Sequence, residues 1–203
     1  MKKMRFWPMM ITGVLMIAGC QPVANGQVDI DYKTSEEQQQ IANTFTYDDY
    51  KEVYDTAIAE AESYDAETSL GRWIIYTLVQ EALYYETDLN EAQVIQLAEQ
   101  QQDELATWIR LASEKYGVTV SNEELDEFIS QGPDTSELPE HLALADALGL
   151  TLEELNHDYE RDLYEKNLMW LELEPILQEE YETSDPRQII EQFDEEVQKE
   201  LGH

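Results

Sequence analysis

Residues 117–125 read GVTVSNEEL, and residues 149–155 read GLTLEEL. Each stretch opens with a glycine suited to the left-handed position that closes a helix. A short apolar link follows, and then a hydroxyl residue, Ser121 or Thr151. Three residues on stands a glutamate, Glu124 or Glu154. A hydroxyl followed at that distance by Glu is a capping box: the side chain of each satisfies the backbone N–H of the other. Both stretches therefore say that one helix ends and another begins within a few residues. The echo is cap chemistry used twice, and a single echo does not make a solenoid.

Working outward, the apolar period stays near 3.6 from residue 41 to the end. Thr46 caps a helix with Asp49 as box partner, and Tyr47, Tyr50, Val53, Tyr54, Ala57, Ile58 and Ala61 form its buried stripe. A second helix starts near Thr68 or Ser69 and carries Leu70, Trp73, Ile74, Thr77 and Leu78. A third runs from about Asn90 to Tyr116 on Val94, Leu97, Ala98, Leu105, Trp108, Ile109 and Ala112. Its polar run Glu99–Glu104 leaves a turn with no apolar residue. Gln101 must therefore face the core, or the helix must project past it. Gly132-Pro133 stops the helix begun at Ser121, and Pro139 opens a short one to Leu148. A long helix is predicted from Leu152 to about Tyr181, bent or split at Pro175, which removes a backbone bond. Ser184 or Asp185 caps the last helix, with Pro186 at its start. The expected fold class is all-α, an irregular bundle of long and short helices.

The N-terminal part reads differently. Residues 1–19 hold Lys2, Lys3 and Arg5, no acid, and an apolar run from Phe6 to Ala18. That run is short of the ~20 residues a spanning helix needs and reads as a secretory leader. Ile17-Ala18-Gly19-Cys20 is similar to a bacterial lipobox. This resemblance implies cleavage before Cys20, diacylglycerol on its thiol, and a membrane partner held through that lipid. Cys20 is the one cysteine of the chain, so an internal disulfide and a cysteine-cluster metal site are excluded. Residues 20–40 are expected to be a flexible tether, in which Val28–Tyr32 alternates as a short strand would. The folded body is then residues 41–203, on the extracytoplasmic face of the cell membrane.

From Cys20 onward, nine Lys and Arg face forty-five Asp and Glu. This balance excludes a nucleic-acid partner, because phosphate contacts need cations. It also excludes a face lying on anionic lipid. An acidic coat is expected to keep the body soluble in a salty or alkaline exterior, with its self-repulsion screened by ions.

Residues for chemistry are sparse. His157 is one turn from Glu153, but no third ligand is placed for zinc. His141, beside Glu140, reads as a surface residue, and His203 ends the chain. Ser121 and Thr151 are explained by capping. No catalytic residue, metal site or cofactor is expected. Trp73, Trp108 and Trp170 stand at helical spacing from Leu and Ile and read individually as core. Together with Tyr84 and Tyr164 they are also the candidate lining of an apolar groove between the long helices.

Residues 115–129, KYGVTVSNEELDEFI, resemble the signature in the N-terminal, chaperone-like domain of SurA and PrsA type exported foldases. There too a helix ends in a tyrosine-glycine pair, an extended link follows, and a capped helix begins. Ala42–Tyr50, with Thr46 as cap, looks like the start segment of that family. Gly149-Leu150-Thr151 looks like its later entry into a long helix. The resemblance covers roughly residues 42–182. It implies a helical module that binds unfolded exported polypeptides. The parvulin-type isomerase domain of those enzymes has no room between Ile129 and Gly149 or after Tyr181, so no enzyme activity is implied. The other reading is a structural or adaptor lipoprotein whose acidic surface meets a basic protein or the cell wall.

Overall fold

The computed structural model describes residues 28–202. The lipobox residues Ile17, Ala18, Gly19 and Cys20, and His203, lie outside the described residues. The described chain is all-α, as the period requires. Helices α1 (Ser35–Thr44), α2 (Tyr47–Ala61), α3 (Gly71–Tyr84) and α4 (Glu91–Glu114) come first. Then follow α5 (Asn122–Gln131), α6 (Pro139–Leu148), a single turn α7 (Leu152–Glu154), α8 (Arg161–Glu180) and α9 (Pro186–Leu201). The only extended pairing among the described residues is one antiparallel bridge between Tyr32 and Tyr85.

Capping boxes start five of these helices: Thr34/Glu37, Thr46/Asp49, Asn90/Gln93, Ser121/Glu124 and Thr151/Glu154. In the four with an acid, the cap hydroxyl and N–H hold the carboxyl below its ordinary value. Gly117 and Gly149 take the left-handed conformation expected of them, at φ 71° and 70°.

Two main cores share α4. The first joins Tyr50, Tyr54 and Ala57 of α2, Trp73, Ile74 and Leu78 of α3, and Ala143, Leu144 and Ala145 of α6 to Val94, Ala98 and Leu105 of α4. The second joins Trp108, Leu111 and Ala112 of α4 to Met169, Leu173 and Leu177 of α8 and Ile189, Phe193 and Val197 of α9. A small third cluster, Leu125, Ile129 and Tyr164, seats α5 on α8. Gln101 faces the core. Its amide Nε2 donates to the Thr77 hydroxyl at 3.0 Å, and Thr77, fully buried, donates to the Trp73 carbonyl at 2.9 Å. The polar turn of α4 is thus a satisfied buried pair that fixes its register on α3.

Three expectations need correction. The stretch from 20 to 40 is not a tether throughout, because α1 begins at Ser35 and the chain is bound to the body from Asp31. The Glu86 N–H donates to the Asp31 carbonyl and the Lys33 N–H to the Tyr84 carbonyl, both at 2.8 Å. The Lys33 ammonium then caps the end of α3 through the carbonyls of Ala82 and Tyr85, at 3.0 and 2.8 Å. The apolar stripe of α1 is thin, since Gln38 is its buried residue and Ile41 and Phe45 only pack at the edge. That is why periodicity overlooked it.

The long helix from Leu152 breaks at an unexpected place. Leu155–Tyr159 forms a π-turn, with the Glu160 N–H bonded to the Leu155 carbonyl at 2.8 Å. α8 then runs unbroken past Pro175. Pro175 is exposed, so water can reach the Leu171 carbonyl that lost its donor. Finally, Tyr47 and Val53 do not complete a buried stripe on α2. Tyr47 is exposed and Val53 half-buried, because the neighbouring helices cover a narrower face than the sequence offers.

The buried pair between α3 and α4 gives a testable consequence. Thr77→Val leaves the Gln101 amide poorly partnered and should cost about 1 kcal/mol. Adding Gln101→Leu should recover most of it, giving a coupling energy above about 0.5 kcal/mol in a urea-unfolding cycle. Strictly additive effects would show that the pair does not set the register.

Candidate functional site

The structure does not gather the five aromatic candidates into one groove. Trp73 is buried in the first core, with the Arg72 guanidinium 4.7 Å from its ring, and Tyr84 lies half-buried at that core's edge. Trp108 and Trp170 meet in the second core with ring centroids 6.4 Å apart. Tyr164 belongs to the third cluster. The rings are divided among three separate clusters, which is the physical reason a shared groove does not form.

The histidines are not the surface residues expected. His141 and His157 join a polar network around the π-turn. Its centre is Asn156, fully buried. The Asn156 Nδ2 donates to Asp134 at 2.9 Å. Its Oδ1 accepts from the Tyr164 hydroxyl at 2.9 Å and from His141 Nε2 at 2.8 Å, which places the His141 proton on Nε2. The Glu160 carboxylate takes the Tyr76 hydroxyl at 2.6 Å and lies 3.2 Å from that of Tyr164. Burial, followed by the negative charge of Glu160, pushes both phenols well above the ordinary tyrosine range. His157 contacts Asp134 at 3.0 Å and Asp126 at 3.6 Å rather than Glu153, and Arg161 reaches the same Asp126 at 2.6 Å. The network therefore ties the π-turn to α3, α5, α6 and the turn at Asp134. Arg72 of α3 donates to the Tyr159 carbonyl of the π-turn and adds a further tie to that helix. None of these residues lines either of the two cavities found. Among the described residues no group of three or more His, Cys, Asp or Glu is arranged to hold a metal ion.

The larger cavity is an open cleft of about 590 Å³ between α2 and α3, with Lys33 and Phe45 also in its lining. Val53, Ala57, Leu78 and Ala82 line its floor, and Asp49, Glu52, Glu60, Glu81 and Asp88 line its rim. On α2 these residues fall at 49, 52, 53, 56, 57 and 60, a helical face exposed at Asp49, Glu52, Thr56 and Glu60, half-buried at Val53 and buried at Ala57. The Glu81 carboxyl accepts the Leu89 N–H at 2.7 Å. Burial, with Glu60 and Asp88 adding negative charge, raises its pKa. The signal was present in the sequence: acids flanking Val53 and Ala57 at helical spacing break an otherwise apolar stripe. A smaller cavity of about 200 Å³ between α5 and α8 repeats the pattern, with Val120, Phe128 and Leu168 among Glu124, Glu127 and Glu172.

The shape and chemistry of the main cleft suit a polypeptide side chain or a small amphipathic ligand, since pockets of this volume hold compact ligands. Comparison with protein-family models, with curated proteins and with solved structures finds no match.

If the network around Asn156 is a structural tie, removing its centre must be expensive. Asn156→Ala strands Asp134, His141 and Tyr164 and should lower unfolding stability by about 3 kcal/mol. His157→Ala, at a partly exposed edge, should cost below about 1 kcal/mol. Equal effects in urea unfolding would contradict this arrangement.

Proposed function

We propose that this chain is a lipid-anchored, extracytoplasmic protein that holds segments of unfolded or exported polypeptide without catalysis, in the manner implied by its resemblance to the SurA and PrsA type chaperone domain. The reading takes Cys20 as the lipid-bearing first residue of the mature chain. The observation that carries it is the cleft between α2 and α3, where half-buried Val53 and exposed Ala82 border buried Ala57 and Leu78 within a rim of acids. An acidic body on a lipid tether would stand away from an anionic leaflet and present that floor to passing chains. Among the described residues, no helix is long and apolar enough to cross a membrane.

The acidic surface favours a second reading, an adaptor for a folded basic partner. The two part on what they bind. A holder takes unfolded segments through the cleft, and an adaptor takes a folded basic surface without it.

The full chain reconstituted in lipid nanodiscs should suppress the aggregation of a chemically denatured client diluted beside it, followed by light scattering against empty nanodiscs. Val53→Arg, which puts a cation across the cleft floor, should abolish the suppression. Absence of suppression at several-fold molar excess would overturn the holding function.

A further inference from the structure

The rim of the cleft is not evenly charged. Along α2, Asp49 and Glu52 stand at one end and Glu60 at the other. Glu60 and Asp88 lie close enough to Glu81 to act on its charge, so three carboxylates gather at that second end. Between the two ends lie Val53, Ala57, Leu78 and Ala82. Glu52 and Glu60 are eight residues apart on the helix, which at 1.5 Å per residue is about 12 Å. In an extended chain, residues four apart are separated by about 13 Å. The cation of the cleft, Lys33, is already held by the Ala82 and Tyr85 carbonyls.

We propose that the cleft selects an extended segment of about five residues, with a lysine or arginine at each end and apolar side chains between. This deepens the holding function proposed above and rests on it. The end cations meet the two carboxylate groups while the central apolar side chain, on the same face of the extended segment, covers the floor. Charge complementarity names this occupant over the others. A neutral apolar segment would leave five rim carboxylates with Lys33 as the one cation of the cleft lining, and an acidic one would be repelled. A second copy of this chain would bring its own acidic coat. The Glu81 carboxyl, crowded by Glu60 and Asp88, gains most from an arriving cation.

The test uses the full chain in nanodiscs of zwitterionic lipid, which do not attract cations themselves. Three fluorescein-labelled peptides share a Leu-Val-Leu centre and end in Lys, Gln or Glu on both sides. The Lys-ended peptide should bind at least about tenfold tighter than the Gln-ended one by anisotropy, a difference of about 1.4 kcal/mol. The preference should shrink between about 0.05 and 0.5 M salt as the charges are screened. The double variant Glu52→Gln/Glu60→Gln, at two exposed positions, should erase it, and the control Glu179→Gln/Glu180→Gln on α8 should not. Equal binding of Lys- and Gln-ended peptides would overturn the selection while leaving the holding function standing. Loss of preference in the control pair would overturn it as well, by showing attraction to the general acidic coat. No peptide binding by a chain that still suppresses aggregation would place the holding surface elsewhere. A dimer lost in Val53→Arg would mark a second copy as the occupant, and would equally overturn the proposal.

Discussion

The structure is arranged around a shortage of cations. Nine Lys and Arg must serve a body with forty-five Asp and Glu, and packed helices bring the acids closer together than an unfolded chain would. The cations are placed where one charge links two helices. Lys51 of α2 reaches Asp146 of α6, and Arg72 of α3 reaches Asp162 of α8. Arg110 and Lys115, at the end of α4, reach Glu200 and Glu196 of α9, and Arg161 of α8 reaches Asp126 of α5. Each such exposed pair is worth little alone, about 0–1 kcal/mol. Their common feature is that each offsets repulsion at a seam between elements. Lys166 differs, lying over the Trp108 ring at 5.2 Å, where burial pushes its pKa down and that of Asp194 up.

The second organising feature is α4. It gives Val94, Ala98 and Leu105 to one core and Trp108, Leu111 and Ala112 to the other, so neither core closes without it. Gln101 sits within the first set, between Ala98 and Leu105, bonded to Thr77, and keeps the helix from sliding. The network at Asn156 does the same work on the far side, joining the π-turn to α3 through Glu160 and Tyr76. The cleft lies between α2 and α3, beside the helices fixed in this way.

Most of the fold was legible in the sequence because its signals are local. Thr46, Ser121 and Asp185 cap the helices they were expected to cap, and Thr151 caps the single turn α7 where a long helix was expected. Gln101 faces inward, as the gap in the α4 stripe demanded. What the sequence hid is long-range. The start of the body at Asp31 depends on carbonyls at the end of α3 far along the chain. The π-turn depends on Asn156 finding Asp134, His141 and Tyr164 across three elements. The aromatic candidates were misjudged for the opposite reason. Helical spacing shows that Trp73, Trp108 and Trp170 face a core, but not that Trp73 faces a different one from the other two.

The cleft, the cation seams and the charge of the coat are parts of one balance: attraction at contact distance, repulsion everywhere else. Salt separates them. The Debye length falls from about 30 Å at 0.01 M to about 10 Å at 0.1 M, while paired groups a few ångströms apart are screened far less. The most direct measurement is the urea midpoint of the full chain at these two salt concentrations. The account predicts a clear rise with added salt, since screening removes more repulsion than attraction. A midpoint that stays level or falls would contradict it.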